Sequence, residues 1–338
     1  MKYVHVFFLV SGAIISSACA VMVSPTSTAT GMPAVPPKSG TIRVGFPTTA
    51  DMGDVPSLMA HELLSAQGYT IQSTAFASVD IEAAALAQGE IDIANGSMRT
   101  LWPAIGKGAD ARTIMEQVAN VWLLIDKPEF QTCADLMGKR IAFTSNSSLN
   151  RALFDAYTQQ HCPALKFEQL TISGSDTRAA ALLAGELDAT PLELADWIQL
   201  EQKAPKQFQV LVTFAQELPN LKTTGVHVRR AFAEKNALAV RDYVRAVLTV
   251  HRTIKTHPTE LTNATVKFLK LDAPTAQTIA QAYLARNVWD VNGGLTREDV
   301  QYSVDFFTRT KSIPEGLTAD AVADLSYLNA VLAEIGRK

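Results

Sequence analysis

The sequence predicts an α/β protein made of two similar halves, each built on an open, parallel-rich sheet. A twelve-residue pattern that begins at Ala83 returns at Ala179, an offset of 96 residues, with seven of its twelve positions identical. Each copy predicts an Ala-rich helix, a Gly that ends it and a short strand entered through Glu-x-Asp. Helical and strand patterns also alternate along the first two thirds of the chain, which is typical of parallel sheets. Two such halves, facing each other through the loops after their strands, are suited to holding a molecule between them.

Length and composition favour a well-buried globular protein and argue against two classes of partner. The chain has 338 residues, of which 47% are hydrophobic, and a net charge of −3. This length allows one large or two medium domains with a substantial core. A charge so close to neutral argues against nucleic acid or a membrane surface as the partner.

Residues 1–20 are predicted to be a secretory signal peptide. An apolar run follows a basic residue and ends in small residues, and it is too short to span a bilayer. Its end fits two processing routes: cleavage after Ala20, or lipidation at Cys19, although Ser16 stands where such lipoprotein sites usually have Leu. Residues 21–40 are rich in Ser, Thr and Pro and are predicted to form a tether. The protein is therefore expected in the periplasm, or anchored to the cell envelope through Cys19.

The first half alternates strands and helices. Apolar runs predict the strands, and amphipathic or Ala-rich stretches predict the helices. The predicted strands span residues 41–46, 69–76 and 91–94, and the predicted helices span 55–67, 80–88 and 98–106. Gly68 ends the first helix. Residues 113–125 are predicted to be extended.

The second half repeats this order before the pattern changes. Its predicted strands span residues 141–143, 167–172 and 187–190, and its helices span 149–160 and 177–184. One more strand is predicted at 223–228, and the last third is helical over 233–257, 259–269, 273–287, 296–308 and 318–335. Thr296 and Asp299 resemble a capping box. Because no linker interrupts the last third, these helices are expected to pack onto the two halves.

The cysteines predict one disulfide and no metal site. Besides Cys19, only Cys133 and Cys162 are available, and in an oxidising compartment such a pair favours a disulfide. The closed loop of 29 residues is expected to contribute about 3–4 kcal/mol. No third cysteine or well-spaced histidine completes a zinc site. We also find no nucleophile, zinc-protease or phosphate-loop motif, so neither a catalytic residue nor a cofactor is predicted.

Five segments carry a resemblance to a known family: residues 42–46, 85–92, 135–142, 181–189 and 289–301. In this order and spacing they resemble periplasmic substrate-binding proteins of ABC importers. The branch is the nitrate/sulfonate/taurine type, which also includes binders of thiamine-pyrimidine precursors. The resemblance runs from about residue 41 to the C-terminus.

This resemblance implies a two-lobed periplasmic-binding-protein type 2 fold, with two open α/β sheets, two crossing strands and a helical C-terminal third. The crossings are expected near residues 122–126 and 222–228. Lobe one would then comprise residues 41–126 and 223–338, and lobe two residues 127–222. A ligand would bind in the cleft between them.

Three loops follow strands at the ends where open α/β sheets bind ligands. The first offers Thr48, Thr49 and Asp51 as candidate ligand-binding residues. The alternative is that all three are ordinary polar loop residues with no ligand contact. Asp54 in the same loop is explained by helix capping alone.

The second loop offers Asn95, Gly96, Ser97 and Arg99. Asn95 and Ser97 can bond a polar ligand, and Gly96 allows close backbone approach. Arg99 could neutralise a carboxylate or sulfonate, but a solvated helix position or an ion pair with a lobe-two acid is the favoured alternative.

The third loop offers Ser145, Asn146 and Ser147 before a helix. Hydroxyls and exposed N–H groups there favour an anion, although one serine of this loop is expected only to cap the helix. Glu193, after the second copy of the repeat, could bind an amine or amidine together with Asp51. Alternatively, Glu193 only favours the dipole of its helix.

The functional hypothesis is a monomeric solute-binding protein that closes on a small polar molecule and delivers it to an ABC permease in the inner membrane. Two alternatives remain. One is a ligand-sensing module for a membrane receptor. The other is an enzyme similar to pyrimidine synthases of this fold, which carry a cysteine-rich run that this chain lacks. The ligand and its charge stay open.

Overall fold

A computed structural model describes residues 38–338. The predicted signal peptide and residues 21–37 of the predicted tether lie outside the described residues. No helix between residues 38 and 338 combines the length and the apolar character needed to cross a membrane.

Ten strands of the described chain form two five-stranded sheets. In chain order they are β1 (Thr41–Phe46), β2 (Thr70–Ala75), β3 (Ile93–Ser97), β4 (Ala111–Glu116), β5 (Trp122–Asp126), β6 (Arg140–Phe143), β7 (Glu168–Thr171), β8 (Ala189–Glu193), β9 (Gln209–Thr213) and β10 (Thr224–Arg229).

The two sheets share one topology. The first has the order β2-β1-β3-β10-β4, and the second has the order β7-β6-β8-β5-β9. In each sheet four strands run in one direction and a single strand runs against them: β10 pairs antiparallel with β3 and β4, and β5 pairs antiparallel with β8 and β9. The repeat in the sequence therefore corresponds to a repeat in the fold.

The antiparallel strand of each sheet comes directly after the chain has crossed from the other sheet. This corrects the expected extended segment over residues 113–125 and the crossing expected near residues 122–126. Residues 113–125 are not one extended segment, because β4 ends in the first sheet and β5 lies in the second. The chain crosses over residues 117–121, and Trp122–Asp126 belongs to the second sheet. It crosses back over residues 218–223, so β10 belongs to the first sheet.

Fourteen helices surround these sheets in the described chain. They are α1 (Val55–Ala66), α2 (Val79–Gln88), α3 (Met98–Gly106), α4 (Leu149–His161), α5 (Ser175–Leu183), α6 (Leu194–Lys203), α7 (Phe214–Glu217), α8 (Arg230–Lys235), α9 (Ala237–Thr256), α10 (Pro258–Leu269), α11 (Ala273–Ala285), α12 (Arg297–Arg309), α13 (Ala319–Val322) and α14 (Ser326–Ile335). Of the helices after β10, α9 and α10 pack on α1, and α8, α13 and α14 contact strands of the first sheet. Helix α11 contacts α6 beside the second sheet.

Two predicted helices are interrupted in the structure. The one predicted over 233–257 breaks at Asn236, whose backbone is non-helical and whose N–H donates to the Phe232 carbonyl. The one predicted over 318–335 breaks at Ala323, which is extended and bridges to Thr113 on β4. The Asn236 side chain also donates to the Phe232 carbonyl at 3.0 Å, so a capping contact at Asn236 and a pairing contact at Ala323 outweigh helical periodicity. The capping box of Thr296 and Asp299 is present as predicted.

The repeated glycines and the cysteine pair have the roles predicted for them. Gly89 and Gly185 follow α2 and α5 with φ of 79° and 75°, a left-handed conformation that glycine adopts at little cost. Cys133 and Cys162 form a disulfide with a Cα–Cα distance of 6.2 Å. It joins the 3₁₀ turn Cys133–Leu136 to the C-terminal end of α4.

Candidate functional site

The repeated aspartates hold strand ends together and do not reach the interlobe cavity. Asp92 accepts hydrogen bonds from the backbone and side chain of Arg43 and from Arg229. Asp188 accepts the equivalent bonds from Arg140, and one from Lys127. Burial alone would raise the pKa of Asp92, but the arginine hydrogen bonds outweigh it and lower that pKa.

A cavity of about 120 Å³ lies between the ends of the two sheets. It is lined by both lobes and by the crossing segment over residues 117–121. The lining residues are Pro47, Asp51, Gly53, Asp54, Val79, Gly96, Ser97, Thr100, Gln117, Val118, Val121, Trp122, Thr144, Ser148, Leu149, Asn150, Glu193 and Thr224. Its position at the strand ends is the one expected for ligands in open α/β sheets.

The loop after β1 brings two carboxyl groups to this cavity. The Asp51 carboxylate accepts from the Gly53 N–H at 2.7 Å, and Asp54 accepts in return from the Asp51 N–H at 3.1 Å. Gln117 also donates to Asp54 at 2.5 Å. Asp54 is therefore part of a capping box around a 3₁₀ turn, with its other oxygen held by the crossing segment.

Glu193 approaches the same place from the second lobe. It ends β8 and precedes α6, and its side chain makes no capping bond to that helix. Burial and the nearby Asp51 carboxylate raise the pKa of Glu193 well above its usual range. Burial likewise raises the pKa of Asp51, despite hydrogen bonds from backbone N–H groups and from Glu193. The two carboxyls meet across the cleft, one from each lobe.

A third acid, Glu82 on α2, lies behind the cavity wall. It is 3% exposed, and burial raises its pKa well above the usual range. A Cβ on Gly96 would lie 2.8 Å from its Oε2, so glycine at this position lets the carboxyl approach β3. A small recess joins the cavity here and includes Glu82 and His227 in its lining. Sequence reasoning missed Glu82, although an acid on the inner face of a predicted helix was a usable signal.

Four of the eleven residues proposed from sequence line the cavity: Asp51, Gly96, Ser97 and Glu193. The lining also contains Gln117, Trp122 and Thr224, which were not among those proposals. They lie on the crossing segments or next to them, and their contact with the cavity depends on how the two sheets pair.

The other residues proposed for the first lobe face elsewhere. The Thr48 hydroxyl donates to the Thr49 carbonyl at 3.1 Å, at the outer part of its loop. Asn95 is completely buried within β3. Arg99 does not line the cavity, and the nearest acids in its surroundings include Asp155 of the second lobe. Asp155 pairs with Arg151 on its own helix at 2.7 Å, so among the described residues Arg99 does not form the interlobe ion pair that was the alternative.

The second-lobe loop presents different residues from those proposed. Ser145 and Ser147 bond each other at 3.1 Å, and Asn146 accepts from Gln169 on β7. The cavity is instead lined by Thr144, Ser148, Leu149 and Asn150. The physical reason is a local network in which Ser148 donates to Asn150, and Asn150 donates to Thr144, which turns the intervening residues outward.

The cavity wall is acidic and apolar. Among the described residues that line it there are three carboxyls, Asp51, Asp54 and Glu193, and no lysine, arginine or histidine. Within residues 38–338, no three His, Cys, Asp or Glu side chains are arranged to hold a metal ion. The arrangement can bind a small molecule through hydrogen bonds and apolar contacts.

Comparison with known proteins identifies the family. Residues 78–261 match the family model described as "NMT1/THI5 like". No curated protein matches this chain significantly.

Solved structures share the fold at low sequence identity. The ligand-binding component of an ABC-type import system from Staphylococcus aureus, with zinc bound, superposes with a TM-score of 0.70 at 13% identity, covering 86% of this chain and 98% of its own. For the periplasmic aliphatic sulphonate-binding protein of Escherichia coli the TM-score is 0.66 at 19% identity, with 84% and 92% covered. For the periplasmic nitrate-binding protein of Synechocystis PCC 6803 it is 0.69 at 11% identity, with 89% and 90% covered.

The fold is thus the two-lobed architecture of these periplasmic binding proteins, as the sequence predicts. The family match spans more than half of the chain, and the protein belongs to the NMT1/THI5-like family.

Proposed function

We propose that this protein is a solute-binding protein, which captures a small polar molecule between its lobes and delivers it to an ABC-type importer. The observation that carries the proposal is the cavity itself, since polar groups from both lobes and from a crossing segment line one space. The names of the structural relatives, which include an import-system component and sulphonate- and nitrate-binding proteins, support it.

The mechanism is a shift of population toward the closed form. Ser97 and Asp51 belong to the first lobe and Glu193 to the second, so a ligand can contact all three only when the lobes are closed. Contacts made only in the closed state favour that state by their full differential free energy. Within residues 38–338 the chain crosses between the lobes at two short segments, which makes such a rigid-body closure feasible.

The partner and the location follow from the same proposal. A signal peptide over residues 1–20 would carry the protein to the periplasm, either free or anchored through Cys19. The closed, liganded form would then dock as a monomer on an ABC permease in the inner membrane. A sensing role would use the same cavity with a membrane receptor in place of the permease.

We assign no catalytic role. The lining has carboxyl, amide and hydroxyl groups, but no cysteine, lysine or histidine among the described residues. Nucleophilic catalysis by a serine or threonine needs an adjacent base held within hydrogen-bond reach, and Ser148 instead donates to the Ser145 carbonyl and to Asn150.

A thermal-shift screen of the processed protein tests the proposal. The panel would contain sulfonates, nitrate, thiamine precursors, flavins, aromatic acids and amines. A true ligand at a hundred times its dissociation constant adds about 2.7 kcal/mol to the free energy of unfolding and raises the midpoint. Cells from which the gene is deleted should also take up less of a solute that binds in this way. Binding without any loss of uptake would favour the sensing role.

A further inference from the structure

We infer that the cavity takes an organic cation, a molecule with an ammonium or amidinium group on a small, flat apolar body. The inference rests on the proposed solute-binding function and adds the chemical class of the ligand. It differs from the sulphonate and nitrate named for two structural relatives.

The first argument is the pair of carboxyls that meet across the cleft. Asp51 enters from the first lobe and Glu193 from the second, and both line the cavity. Burial raises the pKa of each, and the Asp51 charge raises that of Glu193 further, because two neighbouring carboxylates repel each other. A positive group bound against this pair would reduce the repulsion, because it attracts both carboxylates, and it would hold the two lobes together.

The second argument is the buried acid with a free acceptor. Glu82 is 3% exposed, and within the described chain its Oε1 has no hydrogen-bond partner. It opens on the recess that joins the cavity at Gly96 and Ser97. His227 in the same recess cannot neutralise it, because burial lowers the pKa of His227 to about 4 and its Nε2 contacts the Gly96 carbonyl. An N–H donor from a ligand would satisfy this acceptor.

The third argument is the absence of positive charge from the lining. Arg178 is not among the lining residues, and its guanidinium is occupied by the Pro191, Ile172 and Gly174 carbonyls and the Thr144 hydroxyl. An anion such as sulfonate would therefore be desolvated beside carboxyl groups without a side-chain cation to pair with.

The remaining wall fits an apolar body. Val79, Val118, Val121 and Leu149 line the cavity together with Trp122. The Arg178 guanidinium already lies over the Trp122 ring, 5.7 Å from its centroid, so the ring is assigned here to the flat body of the ligand and not to its charged group. The carboxyls would thus hold the charged end, while these side chains cover the rest.

A shape-matched series tests the inference on the processed full-length protein. Benzamidine and benzylamine carry a positive group, benzamide is neutral, and benzenesulfonate is negative, all on the same ring. Isothermal titration and thermal shift should detect the two cations and give a dissociation constant at least tenfold lower than that of benzamide. Benzenesulfonate should cause no shift.

Variants locate the interaction. Glu193→Gln and Asp51→Asn each remove one negative charge with little change in shape, and each should weaken benzamidine binding at least tenfold. Glu129→Gln changes an exposed acid of the second lobe and should leave binding unchanged. Urea unfolding of every variant separates a loss of binding from a loss of fold.

Two outcomes would overturn the inference in distinguishable ways. A shift with benzenesulfonate or benzamide but not with the cations would contradict the assigned ligand class and leave the solute-binding function standing. No shift with any panel compound, combined with no small molecule recovered by mass spectrometry from the purified protein, would contradict both.

Discussion

Immediately before the two copies of the sequence repeat, one equivalent buried position holds an acid in the first lobe and a base in the second. Glu82 on α2 and Arg178 on α5 are separated by the repeat offset of 96 residues, and they are 3% and 0% exposed. Arg178 donates to three carbonyls and a hydroxyl of its own lobe. Glu82 keeps one oxygen without a partner among the described residues. The second lobe thus satisfies its buried charge internally, whereas the first lobe leaves an acceptor for a ligand.

A second pair of equivalent positions also differs in the chemistry of its side chains. Ser97 and Glu193 are again 96 residues apart, each ends a strand and precedes a helix, and neither side chain caps that helix. Both line the cavity. One backbone geometry, used twice, therefore brings a hydroxyl from one lobe and a carboxyl from the other to the same space. The comparison teaches that the repeat specifies position, and the residue at each position decides the chemistry.

The largest effect is expected from Arg178→Met. Removing the guanidinium takes a side-chain donor from three carbonyls and one of two donors from the Thr144 hydroxyl, so we expect a loss of about 3–5 kcal/mol in the free energy of unfolding. Urea denaturation measures it. The exposed Arg309→Met is a matched control that should cost little. A cost below about 1 kcal/mol for Arg178→Met would break the comparison, because the network would then be worth little to the second lobe.

The disulfide offers a second test of the difference between the lobes, since it lies in the second lobe. Replacing Cys133 and Cys162 together by serine should cost about 3–4 kcal/mol through the loop of 29 residues. In the double variant, amide hydrogen exchange should become faster around α4, which the disulfide holds, and should not change around α2. An equal increase in both lobes would mean that the lobes unfold as a single unit.

The repeated aspartates offer a smaller, paired test. Asp92 and Asp188 make the same strand-end contacts, but their side chains are 3% and 13% exposed. We expect Asp92→Asn to cost about 2–3 kcal/mol and Asp188→Asn about 1–2 kcal/mol, because charged hydrogen bonds are worth more where water is excluded. Equal costs measured by urea unfolding would show that this difference in burial does not matter.

The smallest effect concerns pH and Glu82. Burial raises the pKa of Glu82 in the folded state, so the folded state binds its proton more tightly than the unfolded state does. Stability from this group is present at low pH and is lost as pH rises above the unfolded pKa. Glu82→Gln should therefore flatten the decline in unfolding free energy above about pH 4.5. The variant Glu90→Gln, at an exposed acid of the same lobe, should leave the slope unchanged. A slope that is unchanged in Glu82→Gln would mean that the other buried acids dominate it.

Much of the fold was predictable because its signals are local. Periodicity, the repeated glycines and the cysteine pair indicated the strands, the two halves and the disulfide. The crossing was misplaced at residues 122–126 because β4 and β5 are both extended, and only their partners distinguish them. The strand β9 was missed because its short, half-buried pattern has little periodicity.

The candidate site was only partly predictable. Asp51, Gly96, Ser97 and Glu193 could be proposed because each follows a strand of the repeat. The serine loop could not be resolved in the same way, because hydrogen bonds between Ser148, Asn150 and Thr144 decide which residues face inward. Gln117 and Trp122 reach the cavity only after the chain has crossed between sheets.

By itself, the sequence determined the alternation of elements, the doubled plan and the positions that follow each strand, since these depend on residues near one another in the chain. The tertiary structure decided that Asp51 and Glu193 share one space, that Glu82 lies behind Gly96 and that Arg178 is satisfied within its own lobe. Those outcomes depend on burial and on charges brought together from distant segments. Desolvation and pairing act only after the chain has folded.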